Sequence, residues 1–387
     1  MVAQAGNYEI GLPPSPDGGW STAIEVVEGA FVMPPEESDL VQECGVLRSN
    51  GSFVDISATW RGRRALMIAP QPPEEQPELL EGRHLFAGQI WSHFGHFMVE
   101  SLARFWALDH LKEPPESIIF IPKRPGRGQD LKVYQRNFIK LLGVDVPVQV
   151  LEHPTQVEEL IVPGQGFGLG AIATGTPEYR DYFRQNFATD IAPEGPERLY
   201  LSRSALGGME GSALHEAAIE TSLGRDGYVT VHPQEMTIAD QVAHYRAAKQ
   251  VIGLDGSAFH LFGFVGQKSQ KAGIILRRNS KVFQSIRTQL RAFAGIDPVV
   301  FDAIAADWVP EHKNRPGRYS FGEIDFPVLA KMIHDVGLGP KADQWDIPRF
   351  RDMKSAMRAF SDDKGIAFNR IKKEGRRIIS GAADGRR

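Results

Sequence analysis

The stretch that decides the fold runs from Arg198 to Arg277. It opens with RLYLSR (198–203), passes through YVTVH (228–232) and QVIG (250–253), and closes with AGIILR (272–277). These are short apolar runs rich in β-branched and aromatic residues, the composition of buried strands. Segments with helical spacing separate them, at 214–223 and 237–248, and a third opens at Ser257. Thr237 is a predicted N-cap, with Asp240 three residues on. Strands alternating with helices at this spacing predict an α/β fold with a parallel sheet and ligands at the strand C-termini.

Toward the N-terminus the same alternation recurs. Leu85 to Leu111 has helical spacing, SIIFIP (117–122) reads as a buried strand, 131–142 as a helix, and 146–151 and 159–163 as strands. Gly45 to Ala69 reads as short strands around a turn at Ser49-Asn50-Gly51, and the first forty residues as irregular surface structure. The Gly-rich piece GQGFGLGAIATGTP (164–177) and a helix over 177–187 precede the restart of the pattern. The expected organisation is an irregular segment 1–40, a Rossmann-like domain 41–190, a second over 191–340, and C-terminal helices with a basic tail over 341–387.

Composition narrows the function. The 387 residues are 42% hydrophobic and 24% charged, ordinary values for a globular protein. A net charge of -4 argues against a globally basic nucleic-acid binder. One cysteine, Cys44, excludes an intramolecular disulfide and any zinc site built on two thiolates. No basic start followed by an apolar run and no membrane-length apolar stretch is present, so a cytoplasmic protein is expected. From Lys364 onward eight Lys/Arg face Glu374 and Asp384, which makes the tail +6 and the rest of the chain -10. That tail reads as a solvated helix or as a weak contact with an anionic membrane surface.

Three constellations could carry chemistry. In WSHFGHFMVESLARFW (91–106), His93, His96, Glu100 and Arg104 share one face if the segment is helical. Two imidazoles, a carboxylate and a guanidinium beside apolar neighbours must pair with one another or line a wet site. They suit general acid-base chemistry, a structural network, or a metal site on His93, His96 and Glu100. Gly253-Leu-Asp-Gly-Ser-Ala258 follows a strand and opens a helix, a place where free amides meet phosphate, with Asp255 set to bond a sugar hydroxyl or orient His260. Ser202 and Arg203 end the strand before it, and a guanidinium there suits a diphosphate.

These blocks in this order resemble glycosyltransferase family 61, in particular its bacterial capsular-polysaccharide type. The blocks are RLYLSR, Gly227-Tyr-Val, QEMTIADQ (234–241), AAKQVIG (247–253) and Gly256-Ser-Ala258, with Gly95-His-Phe97, Glu100 and Arg104 upstream. The resemblance implies a GT-B fold of two Rossmann-like domains facing a cleft. It also implies inverting, metal-independent transfer from a nucleotide sugar to a glycan or lipid-linked acceptor, with no cofactor. His96 and Glu100 would be catalytic, with His93 beside them. Arg104, Ser202, Arg203, Gly253, Asp255, Gly256, Ser257 and His260 would bind substrate. The chain departs from the family at Asp255, where many members have His, and at Arg277-Arg278, where an acidic residue is common. The alternatives are a zinc-dependent hydrolase on His93, His96 and Glu100, and an inactive glycan-binding scaffold.

Overall fold

The computed structural model describes residues 12–126, 130–206, 211–373, 375 and 377–379. Met1–Asp190 and Ile191–Arg387 form separate compact units. The first is built on a six-stranded sheet of β1 (Ile24–Met33), β2 (Gly45–Leu47), β3 (Glu78–Ile90), β4 (Ser117–Pro122), β5 (Val148–Val150) and β6 (Thr155–Pro163). Their order is β2-β1-β6-β3-β4-β5. β6, β3, β4 and β5 run parallel, while β1 pairs antiparallel with both β6 and β2. All six residues of β4 are buried, which is why SIIFIP lacks alternation. Ile119 and Ile121 join Val32, Val157, Leu160 and Val162 in the core, each worth about 1.5–3 kcal/mol of transfer free energy.

Two expectations fail here. The first forty residues are not all irregular, because β1 lies inside the sheet and covers the outer edge of β6. The long helix expected from Leu85 to Leu111 is instead the end of strand β3 followed by short helical turns at Phe94–His96, Phe97–Ser101 and Phe105–His110. Leu85, Phe86 and Ala87 are buried on both faces of a central strand, so their run shows no two-residue period to set against a helical one. Helices α1 (Val133–Leu141) and α2 (Pro177–Asn186) complete the unit, the latter capped by the Thr176 hydroxyl.

The second unit follows the sequence reading closely. β7 (Arg198–Leu201), β8 (Val229–Val231), β9 (Gln250–Leu254), β10 (Lys271–Ile275) and β11 (Val299–Asp302) are parallel, in the order β8-β7-β9-β10-β11. Helices α3 (Glu216–Gly224), α4 (Ile238–Ala247) and α5 (Ala258–Val265) connect them, and the Thr237 hydroxyl caps α4 as expected. A smaller antiparallel sheet holds β12 (Ile304–Pro310) between β13 (Phe321–Ile324) and β14 (Phe368–Lys372), and β15 (Arg377–Ile379) closes the far edge of the large sheet.

The C-terminal segment therefore differs from the expected helices. Helices α6 (Phe326–Asp335) and α7 (Phe350–Lys364) are present, but Gly365, at φ 62°, turns the chain into strands. Two of the tail's cations are used internally. Arg370 forks the Glu323 carboxylate at 2.7 and 2.6 Å, and Lys373 pairs with Asp302. Glu374, Arg376 and everything after Ile379, including Asp384, Arg386 and Arg387, lie outside the described residues. Among the described residues no helix is long and apolar enough to cross a membrane.

Candidate active site

In the first unit the chain leaves β3 at Ile90 and turns sharply through Trp91, Ser92 and His93. Neighbouring groups fix that turn. The Ser101 hydroxyl accepts the Trp91 N–H at 2.9 Å, and the side chains of Gln135 and Tyr134 on α1 donate to the carbonyls of Trp91 and Ser92 at 3.0 and 2.9 Å. Phe97 beneath the turn meets Tyr134 and Phe138 edge to face. The helical turn then widens, because the Leu102 N–H reaches the Phe97 carbonyl five residues back. Such π-turns are frequent at functional sites.

The widened turn stacks His96 over Glu100 without placing Arg104 on the same face. His96 Nδ1 lies 2.7 Å from Glu100 Oε2. Arg61, from the two-stranded ribbon Trp60–Arg61/Arg64–Ala65, forks the same carboxylate, with Nε on Oε1 and Nη2 on Oε2, both at 2.8 Å. The Glu100 side chain is fully buried, whereas His96 and Arg61 each keep 29% exposure. Burial pushes the Glu100 carboxyl up. Hydrogen bonds from His96 and Arg61, with their charges, more than offset it, so the net direction is down and the carboxylate is ionised. With Oε2 accepting, Nδ1 carries the hydrogen and Nε2 is left as a base. That tautomer is assigned from the shorter contact, since Arg61 Nη2 also lies 3.4 Å from Nδ1.

Trp91 floors this group. Its ring lies tilted against His96 with 4.8 Å between centroids, and the Arg61 guanidinium and the Lys123 ammonium are each 5.1 Å from its centroid. Lys123 follows β4 and donates to the Leu40 carbonyl and Gln42 Oε1 at 2.8 and 2.6 Å. Burial, chiefly, pulls it down to about 8. The His93 ring lies 5.1 Å from His96. Among the described residues no group of three or more His, Cys, Asp and Glu side chains is placed to hold a metal ion. Both Glu100 oxygens face Arg61 and His96, so the zinc alternative lacks a ligand set here.

Arg104 stands apart from the reading that gave it to the substrate. It is fully buried and points into the unit. Its Nε donates to the Pro163 carbonyl at 3.0 Å, and its Nη2 meets the carbonyls of Ile56, Ser57 and Ala58 at 3.0, 2.8 and 2.8 Å. Gly88, at φ +90° in a bulge of β3, makes the space, since a Cβ there would come within 2.9 Å of Arg104 Nη1. It ties the end of β6 to the loop at 56–58.

In the second unit the strand ends of β7 and β9 meet, as expected for a parallel sheet. Arg203 follows β7, its N–H bonded to Glu216 Oε1 at 2.8 Å, and a Cβ on Gly256 would lie 3.0 Å from its Nη1. The guanidinium thus lies against the turn Gly256-Ser257 from which α5 starts. The Ser257 side chain makes no cap, and the Phe259 and His260 N–H groups already donate to the Gly256 and Ser257 carbonyls at 3.2 and 3.0 Å, so an anion would be met by the amides of the turn itself.

The other expected residues do different work. Gly253 is a packing position, because a Cβ there would sit 2.8 Å from Leu201 Cβ and its carbonyl oxygen. The Ser202 hydroxyl, almost wholly buried, donates to Glu220 Oε1 at 2.6 Å. Asp255 is buried and its Oδ1 accepts the Arg277 N–H at 2.8 Å, which ties β9 to β10. His260 Nδ1 is 2.5 Å from Gln289 Oε1, within the packing of α5.

Arg61, Trp91 and Lys123 are the residues the sequence reading missed, along with Arg278. Arg278 follows β10, is only 8% exposed, and among the described residues its Nε and Nη1 have no hydrogen-bond partner. Burial first, and then Arg277, pull it down to about 10. Motif spacing signals none of the four. The nearest hint is the pair Arg277-Arg278 at a strand C-terminus.

An ionised carboxylate hydrogen-bonded to a part-exposed imidazole is an arrangement that can orient a general base, and a strand-end guanidinium against a helix start suits an anionic substrate. Residues 94–274, which include His96, Glu100, Arg203 and the Gly256-Ser257 turn, match the family model described as Glycosyltransferase 61. The chain is a glycosyltransferase. The domain it carries over that span belongs to glycosyltransferase family 61. No curated protein matches the chain.

Proposed function

We propose that the chain moves a sugar, with inversion and without a metal ion, from a nucleotide sugar to a hydroxyl of a glycan or lipid-linked acceptor. The observation that carries this reading is His96, part-exposed, with Nδ1 on the buried and ionised Glu100. His96 Nε2 takes the acceptor proton, the freed oxygen attacks the anomeric carbon, and the bond to the diphosphate oxygen breaks with its electron pair on the leaving nucleoside diphosphate. One in-line displacement inverts the centre.

Arg203 and the amides of the Gly256-Ser257 turn meet the charge that grows on the leaving group, the role a metal takes elsewhere. A general base supplies roughly 10²- to 10⁴-fold, so positioning and charge stabilisation supply most of the rate. Glu100 acts here through His96 rather than as the base itself, since both its oxygens are engaged. The GT-B arrangement, a role in bacterial surface or capsular polysaccharide synthesis, and a cytoplasmic location at the inner face of the membrane belong to the same proposal.

Thermal melting against UDP, GDP, CMP and their sugars, each with and without EDTA, tests it. Ligand at about 100 times its dissociation constant adds about 2.7 kcal/mol of stability. Stabilisation by one nucleotide class, indifferent to EDTA, supports the reading and names the donor. A response to EDTA alone, or to no nucleotide, overturns it.

A further inference from the structure

We infer that Arg61, which lies outside the family-matched segment 94–274, is a positioning residue of the active site: its guanidinium locks the Glu100 carboxylate so that Oε2 accepts the Nδ1 hydrogen of His96 and leaves Nε2 for the acceptor hydroxyl. The inference rests on the reading of His96 as the base. Two features make the lock specific. The fork is bidentate, with both bonds at 2.8 Å, which fixes the plane of the carboxylate as a single ammonium would not. The guanidinium is itself held over the Trp91 ring, the same ring that His96 packs against, so both partners of Glu100 share one floor.

The surroundings show why the lock is needed. Glu100 is faced by His96 from its own turn, by Arg61 from the ribbon, and at longer range by Lys123 after β4, while His93 lies beyond His96. Lys123 is tied to Leu40 and Gln42 and makes no hydrogen bond to Glu100, so Arg61 supplies the only fixed positive charge in contact with the carboxylate among the described residues. Without it, a fully buried carboxyl is left with one imidazole in contact and Lys123 at longer range, and burial favours the protonated acid. A protonated Glu100 no longer holds Nδ1–H, and the ring is free to take the other tautomer or to turn over.

The test needs no knowledge of the substrate. In ¹⁵N-histidine-labelled protein at pH 8.5, two-bond ¹H–¹⁵N spectra should show one imidazole in the Nδ1–H tautomer that disappears in His96→Ala. Arg61→Met should move that imidazole to the Nε2–H form, and Arg61→Lys should restore it in part. With the nucleotide sugar identified by melting, Arg61→Met should lower kcat about 10- to 100-fold, as loss of an orienting partner does. It should also leave nucleotide affinity unchanged and carry the acidic limb of the kcat profile to higher pH. An Nε2–H imidazole at His96 in the unmodified protein overturns the inference, as does an Arg61→Met variant with unchanged tautomer and profile. Should Arg61→Met fail to fold, Arg61→Lys carries the same readouts. If His96→Ala transfers sugar normally, it is the base assignment that fails. If His96→Ala is inactive while Arg61→Met is unaltered, only the inference about Arg61 fails.

Discussion

Replacing Arg104 by Met separates a structural guanidinium from a substrate-binding one. The side chain donates to Pro163 from Nε and to the Ile56, Ser57 and Ala58 carbonyls from Nη2, and it has no exposed surface. Met preserves most of the stem but leaves these oxygens without their donor, and a buried acceptor left unsatisfied costs about 1–3 kcal/mol. Removing the charge also removes its desolvation cost, so the four losses do not add. A net loss of about 3–5 kcal/mol is expected, more than one such acceptor costs and less than the four together. For a unit of this size that is a fall in Tm of roughly 6–20 °C.

Arg104→Lys keeps the charge but offers one ammonium in place of a fork, so an intermediate loss is expected. Gly88→Ala should destabilise as well, through its φ of +90° and the 2.9 Å approach to Nη1. Combined with Arg104→Met it should cost less than the sum, since the clash partner is gone. Circular dichroism melts combined with nucleotide titration below the transition read both quantities. A variant with unaltered Tm and weakened substrate binding would refute the reasoning and return Arg104 to the substrate.

Three further outcomes follow from other sites. Arg278→Gln should raise Tm in a thermal melt, because it removes a buried guanidinium with two unpartnered nitrogens; a lower Tm refutes it. Asp307 is pushed up to about 6, mainly by burial, against an unfolded value near 3.9. Between those values the folded state holds the proton and the unfolded state does not. Stability of the second unit is therefore greatest below the window and falls by about 2–3 kcal/mol as pH rises through it. Asp307→Asn should flatten that dependence, as measured by urea unfolding at pH 4 and pH 7.5; an unchanged slope places the titration elsewhere. Glu100 has the opposite sign. Its lowered folded value gives a contribution present above the ordinary carboxylate range and lost as pH falls through the folded value. Glu100→Gln should remove that acid-side loss.

In the second unit β7, β8, β9 and β10 were legible because each is a short apolar run between turn signals, and α4 because Thr237 caps it, whereas α3 and α5 start without a side-chain cap. The first unit was legible in part. Ser117–Pro122 and Val133–Leu141 announce themselves, but β1 is recruited by β6 across more than a hundred residues, which no local pattern records. At Leu85–Ala87 a buried central strand and a buried helix share one composition. The site shows the same division. His96 and Glu100 stand four apart on one turn and were readable from spacing, whereas Arg61, Trp91 and Lys123 arrive from separate elements. Arg104 misled because an ideal helix carries the face onward from Glu100, and the π-turn at Phe97–Ser101 breaks that register.

The most direct test of the account is sugar transfer by His96→Ala and Glu100→Gln, measured as product formed with the nucleotide sugar that the melts identify, beside the nucleotide affinity of each variant. The account predicts that kcat falls at least a hundredfold in His96→Ala and less steeply in Glu100→Gln, with nucleotide affinity unchanged in both. Transfer at the normal rate by His96→Ala would contradict it.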